Sequence, residues 1–236
     1  LQPVREAIRA YGSKLDRVVV EVESGEPSPQ LQALERFAGD HGAIVERLPR
    51  ANLDRITRGV RHQGALAFAP ELAILPLDDL PLTGDPLLVA LDEVQDPQNF
   101  GAVIRSAVAM GAAAVIWPEH RSAPLSAATF RASAGAVEHA TLCRVTSMPS
   151  ALVALRERGV LIVGLDAAAS ADIDRTSLKG PVALVVGAEG KGLRKSVRQS
   201  CDTLARLPMP GPIDSLNASA AVAIALYEAV RQRRAG

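Results

Sequence analysis

From Leu87 onward the chain switches repeatedly between short apolar runs and stretches with helical spacing. LLVALDEV (87–94) reads as a buried strand, a helix follows from about Gly101 to Met110, and AAAVIW (112–117) is the next strand. Helical spacing near 125–135 leads into the strand TLCRV (141–145), then a helix from about Pro149 to Arg158. VLIVGLD (160–166), PVALVVG (181–187) and TLARLPM (203–209) are further apolar runs, with helices after the last two. Continuous apolar strands between helices predict an α/β fold: a mostly parallel sheet covered on both faces.

The first 69 residues predict a smaller α/β unit. Leu15–Val22 has the β-branched density of a strand, and Leu31, Leu34, Phe37 and Ala38 fall at helical spacing. Ala43-Ile44-Val45 and Ala65–Ala69 read as short strands. Residues 70–86 carry Pro70, Pro76, Pro81 and Pro86 with four acids and little periodicity, which predicts a linker and a boundary. The expected division is therefore 1–69, linker 70–86, and 87–236.

Three loops in the second part join a strand to a helix: Asp96–Gly101, Gly187–Leu193, and the Pro/Gly-rich stretch ending in Ser215-Leu216-Asn217. In parallel sheets ligands bind beyond the carboxyl ends of the strands, where all three loops should lie. Helix starts offer free backbone N–H groups and polar caps. Gly187, Gly190 and Gly192 fall at i, i+3, i+5, which is not the dinucleotide fingerprint, and Leu193 stands where a P-loop needs lysine. Glu189 would repel a phosphate and suits a cationic or hydroxyl-bearing ligand; a helix-start acid is the other reading. Asn99 could cap the helix after Asp96-Pro97. Arg105 interrupts the apolar stretch GAVIRSAVAMGAA, either as a site residue or as a surface arginine with a buried stem.

Composition narrows the function classes. Aromatic residues make up 3 %, which argues against stacked-base recognition. The two cysteines, Cys143 and Cys201, lack metal spacing and fit a reducing cytoplasm as small core residues; no metal is implied. No apolar run reaches the length of a membrane span, and no signal-peptide pattern opens the chain. Formal net charge is +0, yet cations cluster. Arg47, Arg50, Arg55, Arg58 and Arg61 face only Asp54 locally, and Lys191, Arg194, Lys195 and Arg198 fall along one predicted helix face. Such patches suit a polyanion bound at defined places, or are solvated faces. His62, His120 and His139 have no identifiable partner and read as core or surface residues.

Together, DPQNFGAVIRSAVAMGA (96–112), LVVGAEGKGLRKSV (184–197) and LPMPGPIDSLNASAAVAIALYEAVRQR (207–233) resemble, in order, the three motifs of the SpoU/TrmH family of RNA 2′-O-methyltransferases. The N-terminal unit, ending in Arg61-His62-Gln63-Gly64, is similar to the family's RNA-binding domain of the ribosomal-protein L30e type. With GAVEH at 135–139 the likeness is greatest to the bacterial subgroup that methylates a guanosine of 23S ribosomal RNA. The resemblance implies a C-terminal trefoil knot (the SPOUT class), S-adenosylmethionine as methyl donor, and a homodimer with its site at the subunit interface. It also implies that Gly187, Leu207, Met209 and Leu216 line the donor pocket, that Asn99, Arg105, Glu189, Ser215 and Asn217 form the catalytic set, and that the two basic clusters bind structured ribosomal RNA. A guanidinium stays protonated, so Arg105 is expected to bind phosphate and steady alkoxide charge rather than act as a full base. The alternatives are a transfer-RNA ribose methyltransferase, a non-catalytic RNA-binding or assembly factor, and a nicotinamide-dependent oxidoreductase, the last weakened by the glycine spacing.

Overall fold

The computed structural model describes residues 1–22, 26–213 and 215–234. The chain forms two compact units, one of Leu1–Leu72 with Ala134–His139, the other of Ala73–Ser133 with Ala140–Gly236.

The first unit comprises α1 (Gln2–Tyr11), β1 (Arg17–Val22), α2 (Pro29–Asp40), β2 (Val45–Pro49), α3 (Arg50–Thr57) and β3 (Ala65–Phe68). The central β1 pairs parallel with β2 and antiparallel with β3. Val18 and Val20 of β1 bury with Ile8 of α1 and Leu31 and Leu34 of α2, an apolar gain of roughly 1.5–3 kcal/mol per large side chain. The GAVEH stretch belongs to this unit, where His139 Nε2 lies 3.0 Å from Glu6 Oε2. His62 also has partners: its ring nitrogens meet Asp54 Oδ1 at 2.9 Å and the Gly64 backbone N–H at 3.0 Å. An Nδ1 that accepts from Gly64 leaves Nε2 to donate to Asp54.

The second unit holds β4 (Ile74–Leu75), β5 (Leu87–Asp92), α4 (Pro97–Ala109), β6 (Ala114–Pro118), α5 (Ala127–Ala132), β7 (Leu142–Val145), α6 (Met148–Glu157), β8 (Leu161–Leu165), β9 (Ala171–Asp172), β10 (Val182–Gly187), α7 (Lys195–Gln199), β11 (Thr203–Arg206) and α8 (Ala218–Arg234). Its sheet runs β4-β7-β6-β5-β10-β8-β11-β9, and every ladder is parallel. β5 and β10 are buried along their whole length, as strands covered on both faces must be. Gly101 brings α4 close to α5: a Cβ there would stand 2.6 Å from the Ala132 Cβ and the Thr129 carbonyl oxygen.

Two expectations change. The stretch 70–86 is not merely a linker, because Ile74 and Leu75 pair with β7 and Leu80 is 3 % exposed within the core. Prolines forbid a helix there but tolerate a short edge strand, and the Arg158 guanidinium donates to the Leu77 and Leu80 carbonyls at 2.8 Å each. The helix expected at Gly101 begins at Pro97, capped by Asp96, whose carboxylate accepts from the Gln98 and Asn99 N–H groups. Asn99 is thus inside the helix and its amide is free for other work.

Candidate active site at the carboxyl ends of the sheet

β5 and β10 are neighbours, with Asp92 opposite Gly187 in register. From β5 the sheet continues to β6 and β7 on one side, and from β10 to β8 and β11 on the other. That divergence makes a switch point, where parallel sheets leave a crevice. The loops after β5, β10 and β11 all emerge there.

The loop after β10 folds back over the end of its own strand. Ala188 bridges Gly192, with Gly192 N–H donating to the Ala188 carbonyl at 2.9 Å. A Cβ on Gly187 would lie 2.1 Å from the Gly192 carbonyl group, so only glycine fits. The far end of the loop is pinned by Arg194, whose backbone N–H and Nε reach the fully buried Asp92 carboxylate at 2.9 and 2.7 Å. Arg194 also meets Glu93 at 3.2 Å. The hydrogen bond to Asp92, aided by both carboxylate charges, raises the Arg194 pKa against the opposing effect of burial.

Between this loop, the end of β8 and the segment after β11 lies a cleft of about 210 Å³. Gly187, Leu207, Met209 and Leu216 line it, as do Glu189 and Ser215. Asn99 and Asn217 reach it through Glu189. Asn217 Nδ2 donates to Asn99 Oδ1 at 2.8 Å, and Asn99 Nδ2 donates to Glu189 Oε2 at 3.1 Å. Three loops far apart in sequence are thereby joined by two side-chain bonds. Glu189 stands six residues before α7, which removes the helix-start reading for it.

The structure does not bring Arg105 into this chain of bonds. It lies on α4 six residues beyond Asn99, roughly 120° around the helix axis, exposed and without a hydrogen-bond or ion-pair partner among the described residues. Sequence reasoning missed four participants. Asp92 closes an apolar strand with no local sign of its role, Asp166 and Ala167 join the cleft from the end of β8, and Ser219 bonds Asn217. Only Ser219 had a signal, as the second residue of a helix that opens Asn-Ala-Ser.

The basic clusters need correction. Lys191, Arg194, Lys195 and Arg198 do not share a helix face, because α7 starts at Lys195 and Lys191 sits in the loop. Arg194 is the internal pin just described and Arg198 meets Asp166 at 3.1 Å, leaving Lys191 and Lys195 exposed without partners among the described residues. In the first unit Arg47 forms a paired contact with Glu35 at 2.9 and 3.0 Å, and Arg50 lies 3.4 Å from Glu21. Arg55, Arg58 and Arg61 are exposed, with no such partner among the described residues.

Burial pushes the Cys143 and Cys201 thiols up to about 11, so neither supplies a thiolate near neutrality. Among the described residues no group of three or more His, Cys, Asp or Glu side chains could hold a metal ion, and no helix is long and apolar enough to cross a membrane.

Residues 86–227 match the family described as SpoU rRNA Methylase, and residues 1–74 match the RNA 2'-O ribose methyltransferase substrate binding family. The 23S rRNA (guanosine-2'-O-)-methyltransferase RlmB of Vibrio parahaemolyticus is 42 % identical over 198 residues, covering 82 % of this chain and 80 % of its own. An uncharacterized tRNA/rRNA methyltransferase of Mycobacterium ulcerans is 41 % identical over 98 % of this chain and 76 % of its own. The crystal structure of the SpoU methyltransferase AviRb from Streptomyces viridochromogenes, in complex with AdoMet, superposes with a TM-score of 0.78 at 26 % identity, covering 99 % of this chain and 88 % of that one.

Proposed function

The chain belongs to the SpoU rRNA methylase family and is an S-adenosylmethionine-dependent RNA 2′-O-methyltransferase, and we propose that its target is a guanosine ribose of 23S ribosomal RNA. The observation that carries the reading of the site is the Asn217–Asn99–Glu189 chain on the rim of an apolar cleft.

The cleft fits the methyl donor. Leu207, Met209 and Leu216 offer apolar walls to a flat base, Gly187 leaves bare backbone, and the carboxylates of Glu189 and Asp166 suit cations and hydroxyls. When bound, S-adenosylmethionine supplies an electrophilic methyl group on sulfonium. Glu189 Oε2 is taken by Asn99, and Oε1 is left to accept from the ribose hydroxyl and aim its oxygen in line with that methyl. Ser215 offers a further hydroxyl to the same cleft.

Arg105 is exposed and does not line the cleft of its own chain. In this proposal the protein is a homodimer and Arg105 serves the partner's site, binding an RNA phosphate and steadying charge on the ribose oxygen as its proton passes to the Glu189 carboxylate that accepts its hydrogen bond. The trefoil knot in 87–236, RNA held by Arg55, Arg58 and Arg61 of the first unit together with Lys191 and Lys195, and a cytoplasmic setting belong to the same proposal. A transfer-RNA substrate is the second reading, favoured by the tRNA/rRNA description of the M. ulcerans relative.

The test is methyl incorporation from labelled S-adenosylmethionine into unmodified 23S ribosomal RNA and bulk transfer RNA, mapped by mass spectrometry. We expect label on one guanosine 2′-oxygen of the ribosomal RNA and none after Arg105→Ala. Label confined to transfer RNA would overturn the target. An Arg105→Ala enzyme with undiminished turnover would remove Arg105 from the site.

A further inference from the structure

We propose that Ser219 is a positioning residue: through Asn217 and Asn99 it fixes how Glu189 presents its carboxylate to the cleft. The inference rests on the reading of that cleft as the methyl-transfer site.

A side-chain amide has two orientations of nearly equal shape, and the choice decides whether it offers a donor or an acceptor to its neighbour. Asn217 precedes α8, and its Oδ1 accepts both the Ser219 N–H at 2.9 Å and the Ser219 hydroxyl at 2.6 Å. With the oxygen held by two donors, Nδ2 must face outward, where it donates to Asn99 Oδ1. Asn99 is 7 % exposed, and with its oxygen occupied it too has one orientation, Nδ2 toward Glu189 Oε2. The direction therefore propagates from a helix cap to a carboxylate on the cleft. Reversed, Asn99 would set its own oxygen against Glu189, and two acceptors would repel.

Ser219 does not line the cleft, so its effect must travel through the two amides. Any residue but proline at 219 supplies the backbone N–H that Asn217 Oδ1 caps. The hydroxyl is the part peculiar to serine, and it doubles the hold on Asn217 without being needed for α8 to form. Ser219→Ala therefore separates orientation from folding.

The experiment has two arms. In the ligand-free full chain, side-chain amide NMR reads Asn99 directly. Ser219→Ala should speed hydrogen exchange of the Asn99 Nδ2 protons, although Asn99 does not touch residue 219, and Ser219→Thr should restore protection. In methyl transfer, Ser219→Ala should lower kcat about fivefold, the worth of one neutral hydrogen bond, while the melting temperature falls by no more than about 2–4 °C. In an Asn99→Ala background the same substitution should have no further effect, because the chain is already cut. Unchanged Asn99 exchange, or losses that simply multiply in the double variant, would overturn the proposal. Wild-type protein that transfers no methyl group would count against the functional reading, while the NMR arm would still decide the role of Ser219.

Discussion

Two carboxylates stand at the ends of adjacent strands and do opposite work. Asp92 ends β5, is fully buried, and receives the backbone N–H and guanidinium of Arg194. Glu189 stands two residues past the end of β10, exposed, and receives one amide proton from Asn99. An ionised carboxylate can accept about four hydrogen bonds. Asp92 spends that capacity internally and holds the loop; Glu189 keeps most of its capacity unspent and faces the cleft. In the proposed reading, unused hydrogen-bonding capacity, rather than residue type, is what marks Glu189 as the group that meets substrate.

The sharpest way to break this contrast is Asp92→Ala. It leaves Arg194 with Glu93 alone, loosens the loop end, and should cost about 2–3 kcal/mol of stability. That is below the roughly 3–5 kcal/mol of fully buried pairs, because the Arg194 side chain is 37 % exposed. Denaturant melts would register the loss, and a midpoint equal to wild type would show that the buried pair holds nothing. A smaller effect extends the contrast to the arginines of the first unit. Arg55→Ala, Arg58→Ala and Arg61→Ala should each weaken RNA binding and lower the salt slope by about 0.7–1, as one lost phosphate contact does. Arg47→Ala should leave the slope nearly unchanged, since that side chain is already engaged by Glu35 and Glu26. Fluorescence titrations across a salt series would show it; equal slopes for all four variants would erase the distinction.

What was legible in the sequence follows the same physics. The parallel sheet was legible because strands buried on both faces are written as apolar runs, and the three loops because Pro, Gly and Asn punctuate them. Gly187, Leu207, Met209 and Leu216 lie together along the cleft proposed to hold the donor. The pairings were not legible. Asp92 and Arg194 are 102 residues apart, and Asn99 and Glu189 are 90 apart, so no local pattern joins them. Arg194 read as one cation among several basic neighbours, and only the fold shows that it is spent. Helix α3, which carries Arg50 and Arg55, was hidden because its single buried apolar position, Leu53, leaves no periodicity to read. Asp96 was overlooked as a cap, although Asp-Pro is a common helix opening.

The most direct test of the central claim is a paired measurement on Glu189→Gln: methyl transfer to RNA and thermal melting of the same preparation. The amide keeps an oxygen for Asn99 but loses the charge and the free acceptor. The account predicts a 10- to 100-fold loss of kcat, about 1.4–2.7 kcal/mol, with a melting temperature within about a degree of wild type. Full activity, or a fall in stability comparable to that of Asp92→Ala, would contradict it.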